Sequence, residues 1–445
     1  MRHRNGAGAP APAEAQARAR LVARGALSAE QWAAECIAAI DRRDAAIAAW
    51  SYFDREQAFR QARAADAALR RGVKPRPLHG VPVAVKDIID TADMPTEYGT
   101  VLHAGHRPAA DAWVVTRLRA LGAVILGKTV TTEFAIAAAG KTRNPHDPAR
   151  TPGGSSSGSA AAVAADMAPV ALGTQTGASI VRPASYCGVV GYKPSFGTIP
   201  RTGILPAAPS LDQPGVLART VADAAWLTQH LLGRDAGDPA AVPPKGLRLF
   251  PLPAERRPPR LVFLRTPLWS SVEVPAAEAM LQFAARLRIE ERALPAPFER
   301  AAELFRAVSG PEMARILAAD FERGEARMSQ RLRETLDAGR KVSAVAYLEG
   351  KEAIASLRRM LAEALAGFDA AITPAATGPA PLFESGTGNP ICSLIWSLTG
   401  APSLSLPLLQ VDGMPLGVQV VGPHGADRVV LRAAHLLERN CAKPA

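Results

Sequence analysis

The sequence predicts an α/β protein, and three observations carry that expectation. Short apolar runs at 81–86, 123–126, 189–192, 261–264 and 370–373 read as buried strands. Between them lie stretches with apolar residues at helical spacing, such as 345–365 with Tyr347, Ile354, Leu357, Leu361 and Leu365. Near the end, runs 404–409 and 416–421 bracket Asp412-Gly413, the signal of a hairpin. Strands that alternate with helices build a sheet with helices packed on it. The 445 residues are 48% hydrophobic, enough for one large domain or two ordinary ones, and no internal repeat is visible.

Taken in order, residues 1–20 are rich in Ala, Pro and Arg and are expected to be disordered. Ser28 and Gln31 form a capping-box pattern ahead of a helix that puts Trp32, Cys36, Ile37 and Ile40 on one face. A second helix, 55–71, packs through alanines and Phe59. The run 81–86 tolerates Pro82 only near a strand start or at a sheet edge. A helix at 112–121 leads into strand 123–126. Two Gly/Ser-rich turns follow, 153–159 and 173–179, separated by a small-residue helix and a short apolar run. Thr220 and Asp223 make a second capping box, opening a helix with Ala224, Leu227 and Leu231. Residues 233–259 read as a surface connection, 276–366 as mainly helical, and a helix at 427–440 closes the chain.

Composition excludes several classes. The net charge of +11 comes mostly from Arg scattered among Glu and Asp along helical segments, with no basic run interleaved with aromatics. A solvated Arg-rich surface is expected, and no nucleic-acid partner. Cys36, Cys187, Cys392 and Cys441 are widely spaced and lack a His cluster, so neither a zinc site nor a disulfide framework is indicated. A reducing, cytoplasmic location fits. The first 20 residues have no apolar core of a secretory signal. Residues 155–181 are long enough to span a bilayer, but Gly, Ser, Thr, Pro and Asp166 interrupt them, so no membrane insertion is expected.

Two short motifs mislead. Residues 122–129 fit the phosphate-loop pattern, ending in Gly127-Lys128-Thr129. That pattern needs a strand before its first Gly and a helix after its Lys. Here a helix precedes, and Ala-Val-Ile-Leu between the glycines is an apolar strand unable to curl around phosphates. Residues 154–158 fit the G-x-S-x-G nucleophile elbow, but loop rather than strand precedes them. The downstream histidines, His230, His424 and His435, read as ordinary surface residues.

A serine that attacks an amide without histidine needs another base, and donors for the oxyanion. A lysine serves only when neutral; burial lowers its reference pKa of about 10.4 by several units. Lys86 fits, at the end of an apolar strand. The adjacent Asp87 would oppose this, but neighbouring strand residues point to opposite faces. The second turn supplies small residues before Ser179, whose amides can form an anion nest, and the first turn supplies a hydroxyl able to relay a proton. On pattern alone, the two turns also read as plain tight connections.

The chain resembles the amidase signature family over roughly 28–232 and 342–440, with a weak match across 240–340. The matching runs are PLHGVPVAVKDIIDTADMPTEYGT, ILGKTVTTEFA, NPHDPARTPGGSSSGSAAAVAA, LGTQTGASIVRPASYCGVVGYKPS, GAPSLSLPL and PLGVQVVGPHGAD. The resemblance implies a central mixed β-sheet covered by helices on both faces, formed by a single domain over 21–445. Its core is 72–232, a variable helical region spans about 240–340, and 342–445 completes the sheet. It implies a Ser–cisSer–Lys triad in which Lys86 is the base, Ser155 the relay, cis to Gly154, and Ser179 the nucleophile. The amides of Thr176, Gly177, Ala178 and Ser179 would hold the oxyanion, with Ser156 supporting the network. It implies a small-molecule amide substrate, cleaved through an acyl-enzyme with no cofactor and no metal; a homodimer is compatible with it.

Departures from the family pattern narrow the expectation. Most members read GTDTGGSIR, where this chain has Gln175, Ala178 and an arginine at Arg182, three residues after the serine. The variant is similar to a malonamidase-like branch, which implies that Arg182, with Gln175 beside it, binds the carboxylate of a short anionic amide. A structural salt bridge is the other reading of Arg182. Ala178 would narrow the acyl pocket, or would block the oxyanion turn if that position needs a positive φ, leaving a catalytically weak homologue. The amidase component of a tRNA-dependent amidotransferase is a further alternative, against which the GTQT variant speaks. Residues 134–141, 240–340 and 388–396 are expected to line the substrate pockets.

Overall fold

The computed structural model describes residues 14–136, 138–252 and 257–441. Among them, eleven strands join in one mixed sheet: β1 (Trp50–Phe53), β2 (Pro82–Lys86), β3 (Val124–Thr129), β4 (Val170–Gln175), β5 (Val190–Lys193), β6 (Gln213–Ala218), β7 (Leu261–Arg265), β8 (Glu290–Ala293), β9 (Ala370–Pro374), β10 (Ser403–Val411) and β11 (Met414–Val421). Their spatial order is β1-β3-β2-β4-β6-β5-β10-β11-β9-β7-β8. β2 runs parallel to β3 and β4, and β7 parallel to β8 and β9; the other pairings are antiparallel. Every residue of β2, β3, β4, β6 and β11 is buried. Successive side chains of a strand point to opposite faces, so helices cover the sheet on both sides.

The predicted hairpin forms, and its two central residues, Asp412 and Gly413, have φ of 52° and 75°. Positive φ at both positions is what a two-residue turn matched to strand twist requires. The Ser28 capping box is complete, with Ser28 Oγ accepting from Gln31 N and Gln31 Oε1 from Ser28 N. The helix Ala29–Ile47 then buries Trp32, Cys36, Ile37 and Ile40. Pro82 opens β2 at a central, not an edge, position.

Other expectations change. Of the segment expected to be disordered, 1–13 lie outside the described residues, and Ala15–Ala23 form a helix. The second capping box is half made. Thr220 Oγ1 accepts from Asp223 N, but the Asp223 carboxylate accepts from Ala15 N (2.9 Å) and Gln16 N (3.0 Å), tying the first helix to the domain. Residues 173–175 end β4 rather than begin a turn, and the helix Ser157–Ala164 starts inside the first turn. That helix is built of small residues because it lies against backbone. A side chain at Gly158 would sit 2.2 Å from Ala49 O and 2.4 Å from Val130 N.

Candidate active site

Lys86 ends β2, fully buried between β3 and β4. Its Nζ lies 2.7 Å from Ser155 Oγ and 2.8 Å from Thr174 Oγ1. Burial pushes its pKa down to about 7, against the Asp212 carboxylate, which raises it. Asp87 belongs to a different group: its carboxylate lies 3.2 Å from Lys128 Nζ. Burial raises Asp87 to about 6 while Lys128 opposes the rise. Asp87, the first residue past β2, thus pairs away from Lys86, as the sequence suggests. Lys128, from the phosphate-loop-like run, sits inside β3 and also donates to Thr96 Oγ1 (2.5 Å) and Pro95 O (3.3 Å).

The first turn is fixed by close packing. The Gly154–Ser155 peptide bond is cis. A side chain at Gly154 would come within 2.8 Å of Thr387 Cγ2 and 2.9 Å of Thr132 Cγ2. Ser156 staples the two turns together. Its Oγ donates to Thr174 O (3.2 Å) and accepts from Thr174 N (3.3 Å), and its N donates to Ser179 O (3.2 Å). Ser157 Oγ donates to Val130 O and Ser159 Oγ to Leu172 O, so both hold the helix to the sheet. Among the described residues, no histidine joins the serines. His424 bonds to Phe196 O, and His435 faces Glu438.

The second turn carries free donors. Among the described residues, no partner engages the amides of Thr176, Gly177, Ala178 and Ser179, or the half-buried Ser179 hydroxyl. Ala178 is buried and is not among the residues of positive φ, so its methyl imposes no left-handed strain on the turn. The Thr176 hydroxyl donates to Asp212 Oδ1 (2.5 Å), and Gly177 O accepts from Ser397 Oγ (2.6 Å).

Protein groups engage both Gln175 and Arg182. Gln175 is buried at the end of β4. Its Oε1 accepts from Ile180 N (2.9 Å) and Val181 N (3.0 Å), and its Nε2 donates to Ser397 Oγ (3.1 Å). It therefore holds the entry to the helix Val181–Cys187, with its amide already engaged by protein groups. Arg182 donates through Nη2 to Gly154 O (2.8 Å) and Thr387 Oγ1 (3.1 Å), and through Nη1 to Gly388 O (2.6 Å). No carboxylate pairs with it among the described residues, so the expected salt bridge is not there; its Nε has no partner. Burial lowers its pKa to about 10.

Sequence reasoning missed Thr174, Asp212, Ser397 and Thr387. The weakly matching region and the 388–396 stretch do reach the site. A side chain at Gly177 would meet Phe305 Cζ at 3.3 Å and Leu394 Cδ2 at 3.4 Å. Phe134, from the third expected stretch, is buried, while Ala137 of that stretch lies outside the described residues. Beside the site, a cavity of about 320 Å³ has Thr174, Thr176, Asp212, Leu205 and Ala207 in its wall.

The family model described as Amidase matches residues 32–431. The chain is 35% identical, over 463 aligned positions and 94% of each chain, to a glutamyl-tRNA(Gln) amidotransferase subunit from Anaeromyxobacter sp. (strain K). Among solved structures it is similar to an amidase at 34% identity and a TM-score of 0.85, covering 96% of this chain and 100% of the other. It is also similar to the native peptide amidase of Stenotrophomonas maltophilia, at 30% identity and a TM-score of 0.85 over 98% of each chain. A 6-aminohexanoate cyclic dimer hydrolase solved with substrate superposes at 26% identity and a TM-score of 0.84, over 97% of each chain.

Proposed function

This chain belongs to the amidase signature family and is a hydrolase of carbon–nitrogen bonds, and from that premise we propose that it cleaves a small, carboxylate-bearing amide with a Ser–cisSer–Lys triad of Ser179, Ser155 and Lys86. The observation that carries this reading is the 2.7 Å contact between Lys86 and Ser155, with the lysine pushed to about 7 by burial. Neutral Lys86 accepts the Ser155 proton, and Ser155 accepts that of Ser179 as Ser179 Oγ bonds to the amide carbon. The four free amides of 176–179 receive the developing oxyanion. The proton returns through the same relay to the leaving nitrogen as the C–N bond breaks. Water, deprotonated by the relay, then adds to the acyl-enzyme, and Ser179 Oγ leaves with the proton. Ser156 and Gln175 are positioning residues in this scheme. The four free thiols suit a cytoplasmic setting, and no described helix is long and apolar enough to cross a membrane.

A panel of amides with hydroxylamine tests the triad. Hydroxamate formation should be lost in Ser179→Ala and in Lys86→Ala. Turnover retained in Ser179→Ala would sink the assignment, and no turnover by the wild type on a broad panel would favour a weak homologue.

The substrate carboxylate rests on Arg182. A buried guanidinium bound only to neutral oxygens is an uncompensated charge, which favours an anionic ligand. Arg182→Leu should reduce kcat/KM for carboxylated amides at least about tenfold more than for neutral ones. Equal losses would assign Arg182 to holding Gly154 and Gly388 alone. The similarity to the amidotransferase protein over 94% of the chain favours a second reading, an amidase that works as one component of a complex. Co-purification with partner proteins, and a requirement for ATP and aminoacyl-tRNA, would establish it.

A further inference from the structure

One half-buried carboxylate bonds to the oxyanion turn without belonging to the triad. Asp212 follows Leu211 in the segment that leads into β6, and PSLDQPG around it carries no catalytic pattern. Its Oδ1 accepts from the Thr176 hydroxyl (2.5 Å), and its Oδ2 from Ala207 N and Ala208 N, both at 2.9 Å. Three donors converge on two oxygens, the pattern of an ionised carboxylate, which only accepts. The guanidinium of Arg201 lies nearby but is gripped by Asp238, at 2.7 Å, and by the carbonyls of Pro209 and Asp212. Burial raises the Asp212 pKa, and the Thr176 hydroxyl, the two amides and Arg201 pull it back.

Lys86 sees few charges. Asp87, its neighbour in the chain, is paired with Lys128. Ser155 and Thr174, from the first turn and from β4, present neutral hydroxyls. Asp212 is the charged group that acts on Lys86. Thr174, bonded to Lys86 near the end of β4, and Thr176, bonded to Asp212 just past it, are two residues apart and line the same cavity.

We propose that Asp212 is a positioning residue for the reaction, holding the oxyanion turn 176–179 by the Thr176 hydroxyl and setting the charge that Lys86 faces. The two functions are coupled. The turn that receives negative charge is held by a fixed negative charge at its first residue, on the side chain rather than on the amides, so the free N–H groups stay available. The same charge keeps burial from lowering the lysine further, where a neutral amine would be too weak a base to take a serine proton. The inference rests on the reading of Lys86 as the base.

The pH profile of kcat/KM on the best hydroxamate-forming amide tests it. Wild type should rise through about pH 7 to a plateau, because Lys86 must lose its proton. In Asp212→Asn the amide side chain keeps the volume and removes the charge. Its acid limb should move down by about one pH unit, with a plateau kcat lowered about tenfold and KM little changed. Thr176→Val, which keeps the charge and removes the link, should lower the plateau kcat while leaving the limb in place. A folded Asp212→Asn whose limb overlays the wild type overturns the inference. Should that variant not fold, Thr176→Val decides, and an unchanged kcat there overturns it. Lys86→Met separates this inference from its premise. An inactive Lys86→Met beside an unshifted Asp212→Asn rejects only the role of Asp212, whereas an active Lys86→Met rejects the base.

Discussion

Lys86 and Lys193 are both fully buried at the ends of strands, β2 and β5, and burial pushes both to about 7. Their partners differ. Lys86 Nζ meets two hydroxyls, those of Ser155 and Thr174. Lys193 Nζ donates to two carbonyls, Ala401 O at 2.7 Å and Pro194 O at 3.0 Å. A carbonyl has no proton to give, so the second lysine can only donate, whatever its charge. A hydroxyl gives and accepts, so a neutral amine beside it becomes a base. Asp427, the acid near Lys193, is engaged by Tyr192 (2.6 Å) and Ser195 N (2.8 Å), closing that region as a tie between β5 and the last helix. A lowered pKa therefore marks a candidate, and the chemistry of the partner decides between structure and catalysis.

The largest effect that would break this comparison is on activity. Lys86→Met should reduce hydroxamate formation by about 1,000-fold or more, as expected when one member of a concerted relay is lost. Lys193→Met, with its neutral side chain of similar length, should remain within about tenfold of wild type and keep the same acid limb near pH 7. A folded Lys193→Met as inactive as Lys86→Met would show that the partner criterion fails.

The same distinction explains what could be read from the sequence. Strand β2 follows from a local apolar run, so it was legible without a fold; the pairing of Asp87 with Lys128 joins separate segments. Ser155 and Ser179 stood out through family resemblance; their spacing alone would have fitted plain turns. Thr174 and Asp212 were not legible, because their bonds join distant segments. Lys86 and Thr174 are 88 positions apart, and Thr176 and Asp212 are 36 apart. Gln175 and Arg182 were recognisable as polar groups near the serine, but sequence cannot reveal that backbone amides and carbonyls engage them first. Strand β6 was hidden by its own residues. It carries Pro214 and Gly215, residues uncommon inside strands, and a side chain at Gly215 would lie 2.3 Å from Tyr192 O, so the close pairing with β5 requires glycine there.

A smaller effect sharpens the comparison from the side on which the two lysines are alike. Both have an ordinary pKa of 10.5 and a folded value of about 7. Between those values the unfolded chain binds more protons than the folded one, so stability rises with pH across the window and falls as pH drops towards 7. Each lysine adds up to about 1.4 kcal/mol per pH unit there. Asp87 and Asp223, raised from 3.8 to about 6, act below this range and with the opposite sign, and the buried Cys36 thiol, raised from 9.0 to about 12, acts with that same opposite sign from about pH 9 upward. Denaturant unfolding between about pH 7 and pH 8.5, below the thiol range, therefore reads the lysines that burial lowers, Lys128 among them, and the two variants resolve their own shares. Lys86→Met and Lys193→Met should each flatten the slope by a similar amount, up to about 1.4 kcal/mol per pH unit, although only the first abolishes turnover. A wild-type slope in Lys193→Met would mean that Lys193 keeps its proton inside the fold, and the two sites would then differ in charge as well as in partners.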